Sequence, residues 1–109
     1  MIAVLVGTRP ELIKIAPILR TLQKRKIKHI FIHSNQHYSY EMDTAILKDL
    51  KIRKPDYNLN VGSASHATQT GKIMQGVENI CIEQKPDIIL VHGDTNTTLG
   101  GALAAKKLH

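Results

Sequence analysis

The chain has one cysteine, one phenylalanine, three tyrosines and no tryptophan in 109 residues. A lone Cys81 excludes an intrachain disulfide and a cysteine metal knuckle. Its place in an apolar helical pattern reads as a buried, inert thiol. So few aromatic residues leave no stacking platform for nucleic acid, and no zinc-finger or RNA-binding signature is present. No run approaches the roughly 18 consecutive apolar residues of a membrane span. Met1–Val6 is too short for a signal-peptide core and has no basic region before it. A cytoplasmic protein with neither membrane nor nucleic-acid partners is the expectation. His29, His33, His66 and His109 do not fall at metal-ligand spacing, so no metal site is expected either.

Acidic residues are also in deficit, 9 against 15 lysines and arginines, for a net charge of +6. Much of the excess sits in Lys24-Arg25-Lys26, Lys51-Ile52-Arg53-Lys54 and Lys106-Lys107. These fall at predicted helix ends, where a cation meets the negative pole of the helix dipole and faces water. An anionic small-molecule ligand stays open.

What is present is an alternation of strand and helix signals. Ile2–Val6 is a continuous apolar run ending at Gly7, the pattern of a strand buried on both faces. Leu12, Ile15, Ala16, Leu19 and Leu22 then recur at helical spacing. Pro10 suits the first helical position and Glu11 the positive N-terminal end. Pro17 removes a hydrogen bond to the Ile13 carbonyl, so the helix is kinked or restarts there. His29–His33 is a second strand, and a polar loop through Ser34-Asn35-Gln36-His37 leads into a helix from about Ser39 to Leu50.

The segment from Lys54 to Ser65 reads as mostly loop. Ser65 or Ala67 opens a long helix to about Gln84, with Ile73, Met74, Val77, Ile80 and Cys81 as its buried stripe. Asp87–His92 is another buried strand. Asn96 or Thr95 caps a last helix, Thr98–Leu108. The alternation predicts an α/β fold with a Rossmann-like, doubly wound parallel sheet. Three clear strands are few for a sheet covered on both faces, so the chain reads as a partial N-terminal domain over 1–109.

In such sheets ligands bind beyond the carboxyl ends of the strands, where strand order reverses. If the Asp87–His92 strand pairs beside the first, two turns face each other, Gly7-Thr8-Arg9 and Gly93-Asp94-Thr95. Each precedes a helix N-terminus, whose amides and dipole favour an anion, and glycine in each permits positive φ and close backbone approach. Neither turn is a Walker loop or a GxGxxG fingerprint, so ATP and NAD have no support and no cofactor is expected. Arg9 can grip phosphate bidentately or be a solvated loop residue, and Lys14 can add a second charge. Asp94 is either a helix cap or a carboxylate tuned for proton transfer. His92 reads as a packed strand-end residue. Gln36 and His37 are ligand contacts or plain loop residues.

At these residues the sequence resembles the non-hydrolysing UDP-N-acetylglucosamine 2-epimerase family. Gly7-Thr8-Arg9-Pro10-Glu11-Leu12-Ile13-Lys14 looks like its opening signature. Gln36-His37-Tyr38-Ser39 with Glu41-Met42, and His92-Gly93-Asp94-Thr95-Asn96-Thr97-Thr98, are similar to two further segments in the same order. The resemblance implies the first half of a glycosyltransferase-B-type fold, completed by a C-terminal nucleotide-binding domain absent from this chain. It implies interconversion of UDP-N-acetylglucosamine and UDP-N-acetylmannosamine, by elimination of UDP to 2-acetamidoglucal and re-addition with inversion at carbon 2. No nicotinamide or metal enters that scheme, and the full-length protein would be a homodimer acting in surface polysaccharide biosynthesis.

Arg9 and Lys14 match family positions that hold the diphosphate and assist its departure, and Asp94 matches a carboxylate implicated in proton chemistry. Gly7, Thr8 and Thr95 would line the substrate. Gln36 and His37 match part of an allosteric substrate site, of which one arginine has no counterpart between Ser63 and Thr68. The family's further catalytic residues fall past residue 109, so this chain alone is expected to be inactive. A non-catalytic binding fragment and a glycosyltransferase of the same fold are the rival readings.

Overall fold

The computed structural model describes residues 1–35, 40–93 and 95–108, the side chains of 40–44 apart. Its elements are β1 (Ile2–Val6), α1 (Arg9–Lys24), β2 (His29–His33), α2 (Tyr40–Asp49), β3 (Tyr57–Asn58), α3 (His66–Gln84), β4 (Ile88–Leu90) and α4 (Asn96–Leu108). The strands form one sheet in the order β3-β2-β1-β4. Every pairing is parallel: Val4 lies beside Phe31 of β2 and beside Leu90 of β4. The doubly wound α/β reading therefore holds, with β1 central.

Strand alternation divides the core into two layers. Val4, Val6 and Phe31 pack on one face with Leu12, Ile15 and Leu19 of α1 and Ile46 and Leu47 of α2. Ala3, Leu5, Ile30 and Ile32 pack on the other with Ile73, Val77 and Ile80 of α3 and Ala104 of α4. Helices α1 and α4 thus leave the adjacent strands β1 and β4 toward opposite faces. The reversal of strand order falls between those two strands, and their carboxyl ends form the mouth of the sheet.

Several local expectations are corrected. Helix α1 begins at Arg9 and runs unbroken through Pro17. Ile13, whose carbonyl that proline leaves unpaired, is 48% exposed, so water can serve it. Within the expected loop, Tyr57–Asn58 forms a strand. Asp56 draws it in: its amide donates to the Phe31 carbonyl at 2.8 Å and its carboxylate accepts from the Phe31 amide at 2.8 Å. Strand β4 is shorter than expected and is not buried on both faces, because it is the sheet edge and Ile88 is 60% exposed. Helix α4 starts at Asn96, and Thr95 caps it by accepting from the Thr98 amide.

Candidate functional site

Three chain segments converge on Gly7 at the mouth. The hydroxyls of Ser34, just past β2, and Thr97, in the first turn of α4, hydrogen-bond each other at 2.7 Å. A Cβ built on Gly7 would stand 1.9 Å from Thr97 Oγ1 and 2.4 Å from Ser34 Oγ. Glycine is required here by packing. Positive φ is not the reason: the glycines in that region of backbone space, among the described residues, are Gly62 and Gly93. Gly93, in the facing turn, does adopt φ +91°.

Beneath Gly7 lies a group the sequence reading took only for a helix-dipole partner. Glu11 is 4% exposed. Its Oε1 accepts from the amides of Gly7 at 2.8 Å and Thr8 at 3.2 Å. Its Oε2 accepts from the hydroxyls of Thr95 at 2.5 Å and Thr98 at 3.2 Å. The Thr98 hydroxyl shares its single proton between that oxygen and the His92 carbonyl, the nearer acceptor at 2.8 Å. One carboxylate therefore ties the β1–α1 turn to the β4–α4 turn. The Thr8–Glu11 spacing is a capping-box signal. Glu11's partner Thr95, 84 residues away, has no local signal.

This bridge takes up two donors of the expected anion nest. Of the β1–α1 turn's donors, the Gly7 and Thr8 amides already serve Glu11 and Pro10 has none. Arg9 and Lys14 are both exposed. Neither has a hydrogen bond or ion pair among the described residues. Thr8 is buried, and Thr95 is half-buried across the mouth. The structure thus brings Gly7, Thr8 and Thr95 together through Glu11, with Arg9 at the rim and Lys14 farther along α1. Asp94, Gln36, His37 and His109 lie outside the described residues.

Beside α4, the Asn96 amide donates to Gln69 Oε1 at 2.7 Å and meets His66 Nδ1 at 3.1 Å, locking the starts of α3 and α4 together. Cys81 is buried in the α3 layer, and burial pushes its thiol pKa up, away from a reactive thiolate. A concavity of about 390 Å³ lies at the opposite end of the sheet, lined by Cys81, Ile82, Pro86, Ile89, Ala105 and Leu108 among others. Its charged lining residues are Lys85 and Asp87, the latter paired with the N-terminal ammonium. Among the described residues, no three His, Cys, Asp or Glu side chains gather as a metal set, and no helix is long and apolar enough to cross a membrane.

The geometry can be set beside known proteins. The family model for UDP-N-acetylglucosamine 2-epimerase matches residues 20–109. The UDP-N-acetylglucosamine 2-epimerase of Methanococcus maripaludis is 51% identical over 107 residues, covering 98% of this chain and 29% of the relative. The crystal structure of the Methanocaldococcus jannaschii UDP-GlcNAc 2-epimerase, in complex with UDP-GlcNAc and UDP, superposes with a TM-score of 0.93 at 48% identity. That match covers 98% of this chain and 30% of the solved one. The UDP-2,3-diacetamido-2,3-dideoxy-D-glucuronate 2-epimerase of Pseudomonas aeruginosa is 37% identical over 109 residues, covering 99% of this chain and 31% of the relative. The chain spans under a third of the length of each of these relatives. By sequence along most of its length and by fold, the chain belongs to the UDP-N-acetylglucosamine 2-epimerase family.

Proposed function

We propose that the chain is the N-terminal wall of an epimerase acting on UDP-N-acetylglucosamine, in a two-domain protein of glycosyltransferase-B type. The observation that carries this reading is the mouth itself: Thr8 and Thr95 held together, with Arg9 free at the rim. A second domain would supply the opposite wall and the nucleotide-binding surface. The open edge of β4, with Ile88, Leu99 and Leu103 exposed beside it, supports a fold that continues there.

In the reaction, a base removes the proton on carbon 2 of the sugar while the bond from carbon 1 to the diphosphate oxygen breaks, giving 2-acetamidoglucal and UDP. UDP then returns to carbon 1 as a proton is delivered to the other face of carbon 2. Arg9 and Lys14 hold the diphosphate and favour its departure by neutralising charge. Asp94 takes part in the proton transfers. Gly7, Thr8 and Thr95 line the substrate; Gln36 and His37 match part of a regulatory nucleotide-sugar site whose arginine has no counterpart between Ser63 and Thr68, so activation by substrate is not expected. The protein works in the cytoplasm as a homodimer and feeds surface polysaccharide synthesis.

Incubation with UDP-N-acetylglucosamine in heavy water tests this. The intact protein is expected to form UDP-N-acetylmannosamine and place deuterium on carbon 2, and residues 1–109 alone to do neither. UDP binding by the intact protein without exchange would favour a binding module. Sugar transfer to an acceptor without exchange would favour a glycosyltransferase. The Pseudomonas relative gives a reason to run the diacetamido-glucuronate analogue alongside.

A further inference from the structure

Glu11 is the buried titratable group at the mouth that the proposed mechanism does not use. At 4% exposure, with both oxygens engaged by protein donors, it cannot reach a bound sugar or exchange protons with it. Yet every contact it makes ends on a turn that carries ligand-facing residues. Gly7 and Thr8 adjoin Arg9, while Thr95 follows Asp94 and Thr98 fastens the His92 carbonyl on the same turn.

We infer that Glu11 is a positioning residue that sets the separation of the two turns, and through it the placement of Arg9 relative to Thr95. This rests on the reading of the mouth proposed above. The side chain must be long enough to reach from the Gly7 and Thr8 amides on one side to the two threonine hydroxyls on the other. Its length matters more than its charge, because all four partners are neutral and the hydroxyls can reverse. A glutamine can keep its carbonyl on the two amides and donate its NH2 to Thr98 Oγ1, which still donates to the His92 carbonyl. An aspartate keeps the charge but is one methylene short of spanning both turns.

The test compares Glu11→Gln, Glu11→Asp and Glu11→Ala in the intact protein. Epimerisation is measured as kcat and KM per folded molecule, with the folded fraction taken from denaturant unfolding. The expected order is Gln above Asp and Ala. Glutamine stays within about 3-fold of wild type, and the other two lose on the order of 10- to 100-fold in kcat, with KM changing less than kcat. If Glu11→Ala does not fold, Thr98→Val takes its place, removing one anchor of the bridge, with an expected kcat loss of about 10-fold. An aspartate that outperforms glutamine would assign Glu11 a role through its charge and overturn the inference. So would variants that lower the unfolding midpoint while the folded fraction turns over as wild type. A wild-type protein that shows no carbon 2 exchange removes the functional reading and this inference with it. Wild-type exchange with an unaffected Glu11→Ala removes the inference alone.

Discussion

Glu11 and Asp87 stand at opposite ends of the central strand β1, and the protein holds them in opposite ways. Asp87, just before β4, is exposed and pairs with the N-terminal ammonium of Met1 at 2.5 Å. That partner's hydrogen bond and charge hold its carboxyl below the usual aspartate range. Asp56, just before β3, follows the same plan with Arg53, whose two guanidinium nitrogens reach it at 2.6 and 2.9 Å. At the mouth the carboxylate is buried and rests on amides and hydroxyls. Cations at the amino ends of β3 and β4 are committed to the fold. Because Glu11 needs none, Arg9 and Lys14 remain available to an anionic ligand. Here the local carboxylate is satisfied by neutral donors, and Arg9 and Lys14 of α1 are left without a protein partner among the described residues.

The mouth is tightly packed around Gly7, while the far end is held by exposed ion pairs. Gly7→Ala should break that packing most visibly, because its Cβ would overlap Thr97 and Ser34. The expected loss is about 3 kcal/mol or more in urea unfolding, and adding Thr97→Ala should restore part of it. A Gly7→Ala protein as stable as wild type would mean the mouth has slack.

At the far end the effects should be smaller and can be favourable. Lys26, following α1, sits at φ +56°, and its amide and that of Ile27 close the helix on Gln23 and Leu22. This is a Schellman turn with lysine where glycine is usual. Lys26→Gly should raise stability by about 1 kcal/mol, read from the shift of the urea midpoint.

The smallest expected effect is at Asp56. Burial raises its pKa, but the bonds from Arg53 and the Phe31 amide outweigh burial and hold it below its ordinary 3.8. A depressed carboxylate adds stability above its unfolded pKa and loses it as pH falls through the folded one. Asp56→Asn should therefore cost roughly 0.5–1 kcal/mol at neutral pH, the partly exposed pair being screened. The gap from wild type should close in acid unfolding below about pH 4. A gap that persists at low pH would mean that shape rather than charge holds β3 in place.

The sheet and its switch point were legible because their signals are local. The apolar run Ile2–Val6, the branched and aromatic residues of His29–His33, helical stripes, and Gly7 and Gly93 at strand ends marked the elements, and the conditional placing of β1 between β2 and β4 is met by the pairing. The turns carrying Arg9 and Thr95 followed from that placement. Strand β3 is two residues long and owes its pairing to Asp56, which reads locally as an ordinary loop residue. The exposure of Ile88 follows from where the sheet stops, a fact about neighbours. Glu11 was seen as a helix-start residue and nothing more, since its threonine partners lie on another element. The reason for Gly7 was equally hidden, because the atoms that exclude a side chain there belong to residues 34 and 97.

The Glu11 bridge also has a consequence for the order of assembly. Thr95 and Thr98 are 84 and 87 residues from Glu11 along the chain, so no local segment can form the bridge early. The β1–β2 pairing needs only the α1 crossover, whereas the bridge waits until α3 has carried the chain back across the sheet and β4 has docked. Its closure is a late event, and a folding intermediate with β1 and β2 paired but β4 undocked would have no mouth. Protection of the Gly7 and Thr8 amides from hydrogen exchange after dilution from denaturant would then lag the recovery of helical signal, timing the arrival of the last strand.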